Sequence, residues 1–275
     1  MATLKQSFIP LLIALLFLLI GTISRADVYQ YFDEEGTLIV TDDPYGTKKA
    51  RRPFRSLGER REDVKADNPP SKRPEAGPNF REDVSYDFYA VSAGSVHEAI
   101  AAIERLGPYD SLDNRRYAGQ TRWRFGLSYK LEASYRIQDN MLYASARIHD
   151  IDFDADITVI LPELTEESRS AMPDIRPWEE FLRHLAEHEH DHVKIIREPR
   201  YREDLMAGIS AIGELVLPLS AGEHTETVVN RAFESKVADV AHGIMRRIKQ
   251  INDEYDDLTD HGRKPEFRSA FFQRL

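Results

Sequence analysis

The sequence contains no cysteine. That excludes disulfide bonds and lipid attachment at a cysteine, so stability has to come from a packed core and, where one is present, from a metal. A basic excess is also absent. There are 37 Lys and Arg against 47 Asp and Glu, a formal net charge of -10. This argues against nucleic acid as a main partner, because phosphate binding needs a clustered basic surface. Nor is there an apolar run long enough for a comfortable membrane span. The longest candidate, residues 8–20, has the length of a signal-peptide core.

That short run fits export. Lys5 precedes it, and Ser24-Arg25-Ala26 follows with small residues at the two positions a signal peptidase reads. Residues 1–26 are therefore expected to be a signal peptide cleaved after Ala26, the alternative being an uncleaved N-terminal anchor. Export without cysteine suits a secreted or periplasmic protein of a bacterial envelope, with no stable membrane span after cleavage. Residues 27–45 predict a small β-hairpin. Val28 to Phe32 and Leu38 to Val40 alternate in polarity around the turn Asp33-Glu34-Glu35-Gly36. A lone hairpin is marginal in water, so it should pack on something else. The stretch resembles a short module of unknown function found at the N-termini of bacterial envelope proteins. Residues 46–83 carry Pro53, Pro69, Pro70, Pro74 and Pro78 among dense mixed charge. They read as a disordered linker, and the basic run at 48–55 as part of a solvated spacer.

From residue 84 to 275 the pattern is that of a packed α+β domain. Residues 86–91 read as a strand. Ser95-Val96-His97-Glu98 is a capping-box signal, followed by Val96, Ala99, Ile100, Ile103 and Leu106 at helical spacing. His97 has no ligand spacing and reads as a surface residue. Residues 127–137 alternate strictly, Asp139-Asn140 turns the chain, 142–148 alternate back, and 157–161 predict a third strand. The sheet is expected to be largely antiparallel. Helices are expected at 178–196, 201–216 and 225–255, the last a long one.

Four of the nine histidines fall in His184-Leu185-Ala186-Glu187-His188-Glu189-His190-Asp191-His192. Two motifs overlap here: H-E-x-x-H from His188 to His192, and the inverted H-x-x-E-H from His184 to His188. At 100° per residue, Trp178, Phe181, Leu185 and Ile196 lie within about 60° of one another and define a buried face. His192 falls inside that arc, His188 at its margin and Glu189 on the apolar side. His190 falls opposite, and is expected to be solvent-exposed. His184 lies at the edge. Imidazoles four residues apart are neighbours on a helix and can share one Zn2+. A Glu directly after the first His is placed to exchange protons with the activated water. The forward reading is favoured, with His188 and His192 as zinc ligands and Glu189 as general base, because Glu187 lies on the polar side.

Residues 86 to the C-terminus resemble the family of predicted secreted zinc-dependent proteases, a bacterial domain of unknown function. The resemblance is carried by Tyr89-Ala90-Val91-Ser92-Ala93, Gly119-Gln120-Thr121-Arg122-Trp123, Val159-Ile160-Leu161-Pro162, Trp178 with Phe181-Leu182, His188 to His192, and Tyr255-Asp256-Asp257-Leu258-Thr259-Asp260-His261-Gly262. It implies a zincin-like layout, an antiparallel sheet followed by an active-site helix and a long C-terminal helix, acting on a peptide or protein substrate in the cell envelope. A catalytic zinc needs a third protein ligand. Glu203, Asp204, Glu214, Glu223, His224, His242 and His261 are candidates. His242 reads as a partly buried structural residue and His224 as part of a cap region. The family pattern places a His at 261, making His261 the expected ligand and Glu214 its main rival. Tyr255 or Asp256 would orient a ligand or stabilise charge, or else be ordinary helix-end residues. Two other readings stay open. One is a non-catalytic, zinc-stabilised envelope binding or scaffold protein, with His184 as fourth ligand. The other is a zinc hydrolase of cell-wall amides.

Overall fold

The computed structural model describes residues 29–32, 38–41, 84–110, 114–219 and 224–275. The expected signal peptide (1–26) and the whole of the expected linker (46–83) lie outside the described residues. The sheet is organised by two long strands, β6 (Gln120–Gln138) and β7 (Met141–Leu164), paired antiparallel. Asp139 and Asn140 join them, both at positive φ (50° and 61°). Short polar side chains tolerate that conformation, and it matches the twist of a two-residue hairpin. The expected breaks within this ribbon are absent: residues 142–148 and 157–161 belong to one strand. The register shifts between Ser128 and Lys130, opposite the positive-φ Asp150. A bulge there bends and twists the ladder without ending it.

Four further strands flank this pair. β1 (Tyr29–Phe32) and β2 (Leu38–Thr41) form the expected hairpin, and β2 then pairs antiparallel with residues 124–127 of β6. Leu38 and Val40 join the main core. β3 (Ser85–Val91) runs parallel to β7 on the opposite side, giving the order β1-β2-β6-β7-β3. β8 (Leu215–Pro218) pairs with the start of β7. Here the expectation of helix through 216 is corrected. Helix α4 (Pro199–Ser210) ends before Gly213, and Leu215 and Leu217 instead pack with Leu142, Ala144, Val229 and Phe233. β4 (Tyr109–Asp110) and β5 (Arg115–Arg116) make a minor separate ribbon.

The helices are α1 (Val96–Leu106), α2 (Glu166–Ala171), α3 (Arg176–Ile196), α4, α5 (Thr225–Thr259) and α6 (Arg268–Phe272). Helix α1 starts at the expected Ser95 cap, whose side chain accepts from the Glu98 N–H. It packs Ala99, Ala102 and Ile103 against Val91, Leu164 and Trp178, while Ile100 and Leu106 are exposed. Helices α3 and α5 build the main core. Ala186, Val193 and Ile196 of α3 meet Val237, Ala241, Met245 and Ile248 of α5 beneath Trp123, Phe125, Leu127, Val159 and Leu161. Each large side chain so buried contributes about 1.5–3 kcal/mol. Helix α5 runs one turn beyond the expected 255, to Thr259. Among the described residues, no helix is long and apolar enough to cross a membrane.

Candidate metal centre

Helix α3 has Pro in its first turn, where no N–H is needed, and none inside. It therefore stays regular through the histidine stretch. His188, Glu189, Asp191 and His192 all turn inward and are buried. Helix α5 crosses this face and presents Asn252, Tyr255, Asp256 and Thr259, spaced i, i+3, i+4, i+7 on one side.

Three donor atoms converge where the helices cross. His188 Nε2 and His192 Nε2 are 3.2 Å apart, and each is 3.0 Å from Asp256 Oδ1. Two imidazole nitrogens and one carboxylate oxygen form a group able to hold a metal ion. Bonds of about 2.0–2.1 Å at tetrahedral angles space the donors roughly 3.3 Å apart, close to what is seen. The electrostatics agree. Burial alone would raise the pKa of Asp256, but the charge of His192, hydrogen bonds from His188 and His192, and the nearby His261 hold it well below the usual carboxylate range. Burial opposes charge on His192, yet Asp256 beside it raises its pKa to about 10. The carboxylate thus calls for positive charge at this spot.

The neighbours fix the two rings. Asn252 donates its amide to the Ile248 carbonyl, leaving Oδ1 to accept from His192 Nδ1 at 2.7 Å. The proton therefore sits on Nδ1 and Nε2 faces the cluster. His188 is held by packing. The ring of Tyr255 stacks on it at 5.2 Å and 17°, and Gly262 lies close against it. A Cβ on Gly262, already at φ +80°, would come within 2.9 Å of the imidazole. His188 Nδ1 is buried with no hydrogen-bond partner among the described residues.

Glu189 approaches from the sheet side. The Thr121 hydroxyl lies 2.7 Å from its Oε2 and 3.1 Å from its main-chain carbonyl, with one proton to donate between them. Gly119 makes room, since a Cβ there would sit 2.6 Å from Glu189 Oε1. Tyr89 donates to the Ala118 carbonyl at 2.7 Å, anchoring that turn. Burial, and secondarily Glu189, push the Tyr89 pKa above its usual range. Burial also raises the pKa of Glu189, against the pull of His188, His192 and Thr121. A carboxyl poised in this way accepts and returns protons more readily at neutral pH.

Asp191, inside the motif, has no solvent exposure. It receives the guanidinium of Arg268 through Nε and Nη2, Lys194 Nζ at 2.8 Å and the Tyr255 hydroxyl at 2.7 Å. Burial works to raise its pKa, and these donors more than offset that, lowering it.

The expected third ligand sits beside this group. His261 lies beside Asp256, its Nδ1 3.7 Å from Oδ1, outside the three-donor group. Because α5 continues to 259, Asp256 sits on its inner face. The chain then reverses through three consecutive positive-φ residues, Asp260, His261 and Gly262. This leaves His261 against Tyr117, one third exposed at the edge of the cluster. Glu214 is also elsewhere, paired with Arg136 on the outer ribbon. His184 is exposed among Glu180, Arg183 and Glu187. His190, expected in solvent, is half-buried and bonded to Tyr86 of β3 at 2.7 Å, because the edge of the sheet covers that side of α3. His242 is partly buried, as expected, and burial lowers its pKa. The inward residues of α5 were the missed signal: Asn252, Tyr255, Asp256 and Thr259 continue an apolar stripe with polar groups, as a built site does.

A family model described as a bacterial protein of unknown function (DUF922) matches residues 86–262, and one described as a domain of unknown function (DUF4124) matches residues 15–79. No curated protein and no solved structure matches the chain.

Proposed function

The chain belongs to the bacterial protein family of unknown function DUF922, and from that premise we propose that it is an exported zinc-dependent metallopeptidase. The observation that carries the reading is the convergence of His188, His192 and Asp256 beside the buried carboxylate of Glu189. A nitrogen, nitrogen, oxygen set suits zinc better than magnesium or calcium, which prefer all-oxygen shells. Three protein donors leave a position open, the hallmark of catalytic rather than structural zinc. The scaffold reading, a site closed by four protein ligands with His184 as the expected fourth, finds less support, since His184 is exposed beside Glu180 and outside the three-donor group.

Zinc bound here would lower the pKa of a coordinated water to near ~7 and polarise a substrate carbonyl. The protein supplies the rest. Glu189 takes a proton as the nucleophile attacks and returns it to the leaving amine. The Thr121 hydroxyl and the Gly119 backbone fix the carboxylate's direction. Asn252 and Tyr255 hold the imidazoles, so little reorganisation is needed when charge develops. His261, exposed at the rim, is placed to donate a hydrogen bond to a substrate carbonyl oxygen. The sheet lying over α3 fits a zincin-like layout, and the N-terminal 26 residues fit delivery to the periplasm or beyond.

The test compares zinc content and peptide hydrolysis of the wild type and Glu189→Gln. Full zinc occupancy with hydrolysis reduced about 10²–10⁴-fold is expected for loss of a general acid–base group. Unchanged hydrolysis would remove Glu189 from the mechanism. Absence of zinc from both proteins would remove the metal.

A further inference from the structure

Residues 263–275 lie beyond the stretch matched by the family model, yet they reach the back of the metal centre. The chain leaves Gly262 and makes a short 3-10 turn (Pro265–Phe267). Helix α6 then lays Phe271 and Phe272 against the Tyr255 ring, at 4.9 and 5.8 Å. Phe271 is buried in a cluster with Ile195 and Tyr255, and Leu275 packs at its edge. The Leu275 carbonyl accepts from Arg200 at 2.8 Å. The segment is therefore held at Phe271, Phe272 and Leu275.

Its one charged contact with the motif is Arg268. Two of its nitrogens take both oxygens of Asp191, the fork geometry that gives the strongest and most directional ion pairs. Asp191 lies between His188 and His192 in sequence and is fully enclosed, so it is costly unless its oxygens are satisfied. The same carboxylate accepts the hydroxyl of Tyr255. That bond anchors the tip of the Tyr255 side chain, whose ring stacks on His188 and meets His192 edge-on at 5.3 Å and 88°. The chain of contacts runs Arg268, Asp191, Tyr255, then both imidazoles. Of these residues only the two histidines supply donor atoms to the cluster.

We propose that residues 263–275 form a clasp that sets the geometry of the metal centre, with Arg268 as a positioning residue acting through Asp191 and Tyr255. The inference rests on the metal reading above and adds a control element to it. Removing Arg268 leaves Asp191 short of two donors; Asp191 shifts, the Tyr255 side chain loses the anchor at its tip, and the two Nε2 atoms lose their common aim. Outer partners of this kind change metal affinity by about 10–100-fold when mutated. A purely structural salt bridge would lower thermal stability and leave the affinity of the folded protein unchanged.

The experiment titrates Zn2+ into the full chain, wild type and Arg268→Gln, below the unfolding range of each as followed by circular dichroism. A Kd about 10–100-fold weaker for Arg268→Gln, with recovery toward wild type in Arg268→Lys, is expected. Tyr255→Phe removes only the hydroxyl and serves where Arg268→Gln does not fold. It should weaken zinc in the same direction, and in the double variant the two losses should not add, because they act along one path. Equal zinc affinity in wild type, Arg268→Gln and Tyr255→Phe would overturn the clasp while leaving the metal site intact. A wild type that binds no zinc, or a His188→Ala variant that binds it as well as wild type, would overturn the metal reading instead.

Discussion

The crossing of α3 and α5 and the outer half of the β6–β7 ribbon use the same chemical pieces to opposite ends. Both carry Arg–carboxylate pairs. In the ribbon, Arg136 meets Glu214 with both side chains largely in water. In the crossing, Arg268 meets an Asp191 that water does not reach. An exposed pair contributes about 0–1 kcal/mol, whereas stripping one partner from an enclosed pair costs about 3–5 kcal/mol. Arg268 is one third open to solvent and belongs at the lower end of that range. The ribbon holds its shape through cross-strand pairing and one bulge, and its Arg136–Glu214 pair lies at the surface. The crossing holds buried charges in a set orientation, and each depends on the next.

The contrast can be broken by experiment, starting where it should be largest. Glu189→Gln should reduce peptide hydrolysis about 10²–10⁴-fold without loss of zinc, measured by initial rates and metal analysis. Asp256→Ala, or His192→Ala, removes a donor and should weaken zinc beyond the roughly 10–100-fold expected of an outer partner, as read by titration against a chelator of known affinity. Asn252→Ala removes only the acceptor for His192 Nδ1, and should fall within that 10–100-fold range. Adding zinc at 100 times its Kd should stabilise the wild type by about 2.7 kcal/mol through mass action, seen as a rise in Tm that His188→Ala lacks. Last, Arg136→Ala on the ribbon should change stability by about 0–1 kcal/mol and zinc affinity not at all. If Arg136→Ala weakened zinc as much as Asn252→Ala, the division between the two regions would be lost.

Much of the centre was legible in the nine residues from His184 to His192. Helical periodicity alone puts His188, Glu189 and His192 on the inner side and His184 at the edge, and they lie there. Asp256 was not legible as a donor of its own. The apolar stripe of α5 fades after Ile251, so the helix reads as ending near 255, and a residue beyond a helix end has no assignable face. The loop histidine then looks the better ligand than Asp256. The continuation to Thr259 depends on tertiary contacts: Tyr255 and Thr259 are buried against α3 and the C-terminal segment. His190 was misplaced for a related reason. A helix wheel knows only its own apolar side, and the edge strand β3 covers part of the other. In the sheet, alternation identified the strands but not their continuity, because a bulge at Asp150 looks from sequence like a loop. Residues 211–218 mislead through composition, since Ile212, Leu215 and Val216 suit a helix face as well as the edge strand β8.

The place of the N-terminal hairpin carries a practical corollary. Two family descriptions meet between residues 79 and 86, yet β2 hydrogen-bonds to β6 and Leu38 and Val40 sit in the core beneath it. A recombinant fragment begun at residue 84 would bare the backbone of residues 124–127 and the oily patch those two side chains cover, an invitation to clump with its own copies. The border drawn by homology is thus not a seam along which the polypeptide can be cut, and the stretches on either side of it should be expressed, purified and degraded as one object.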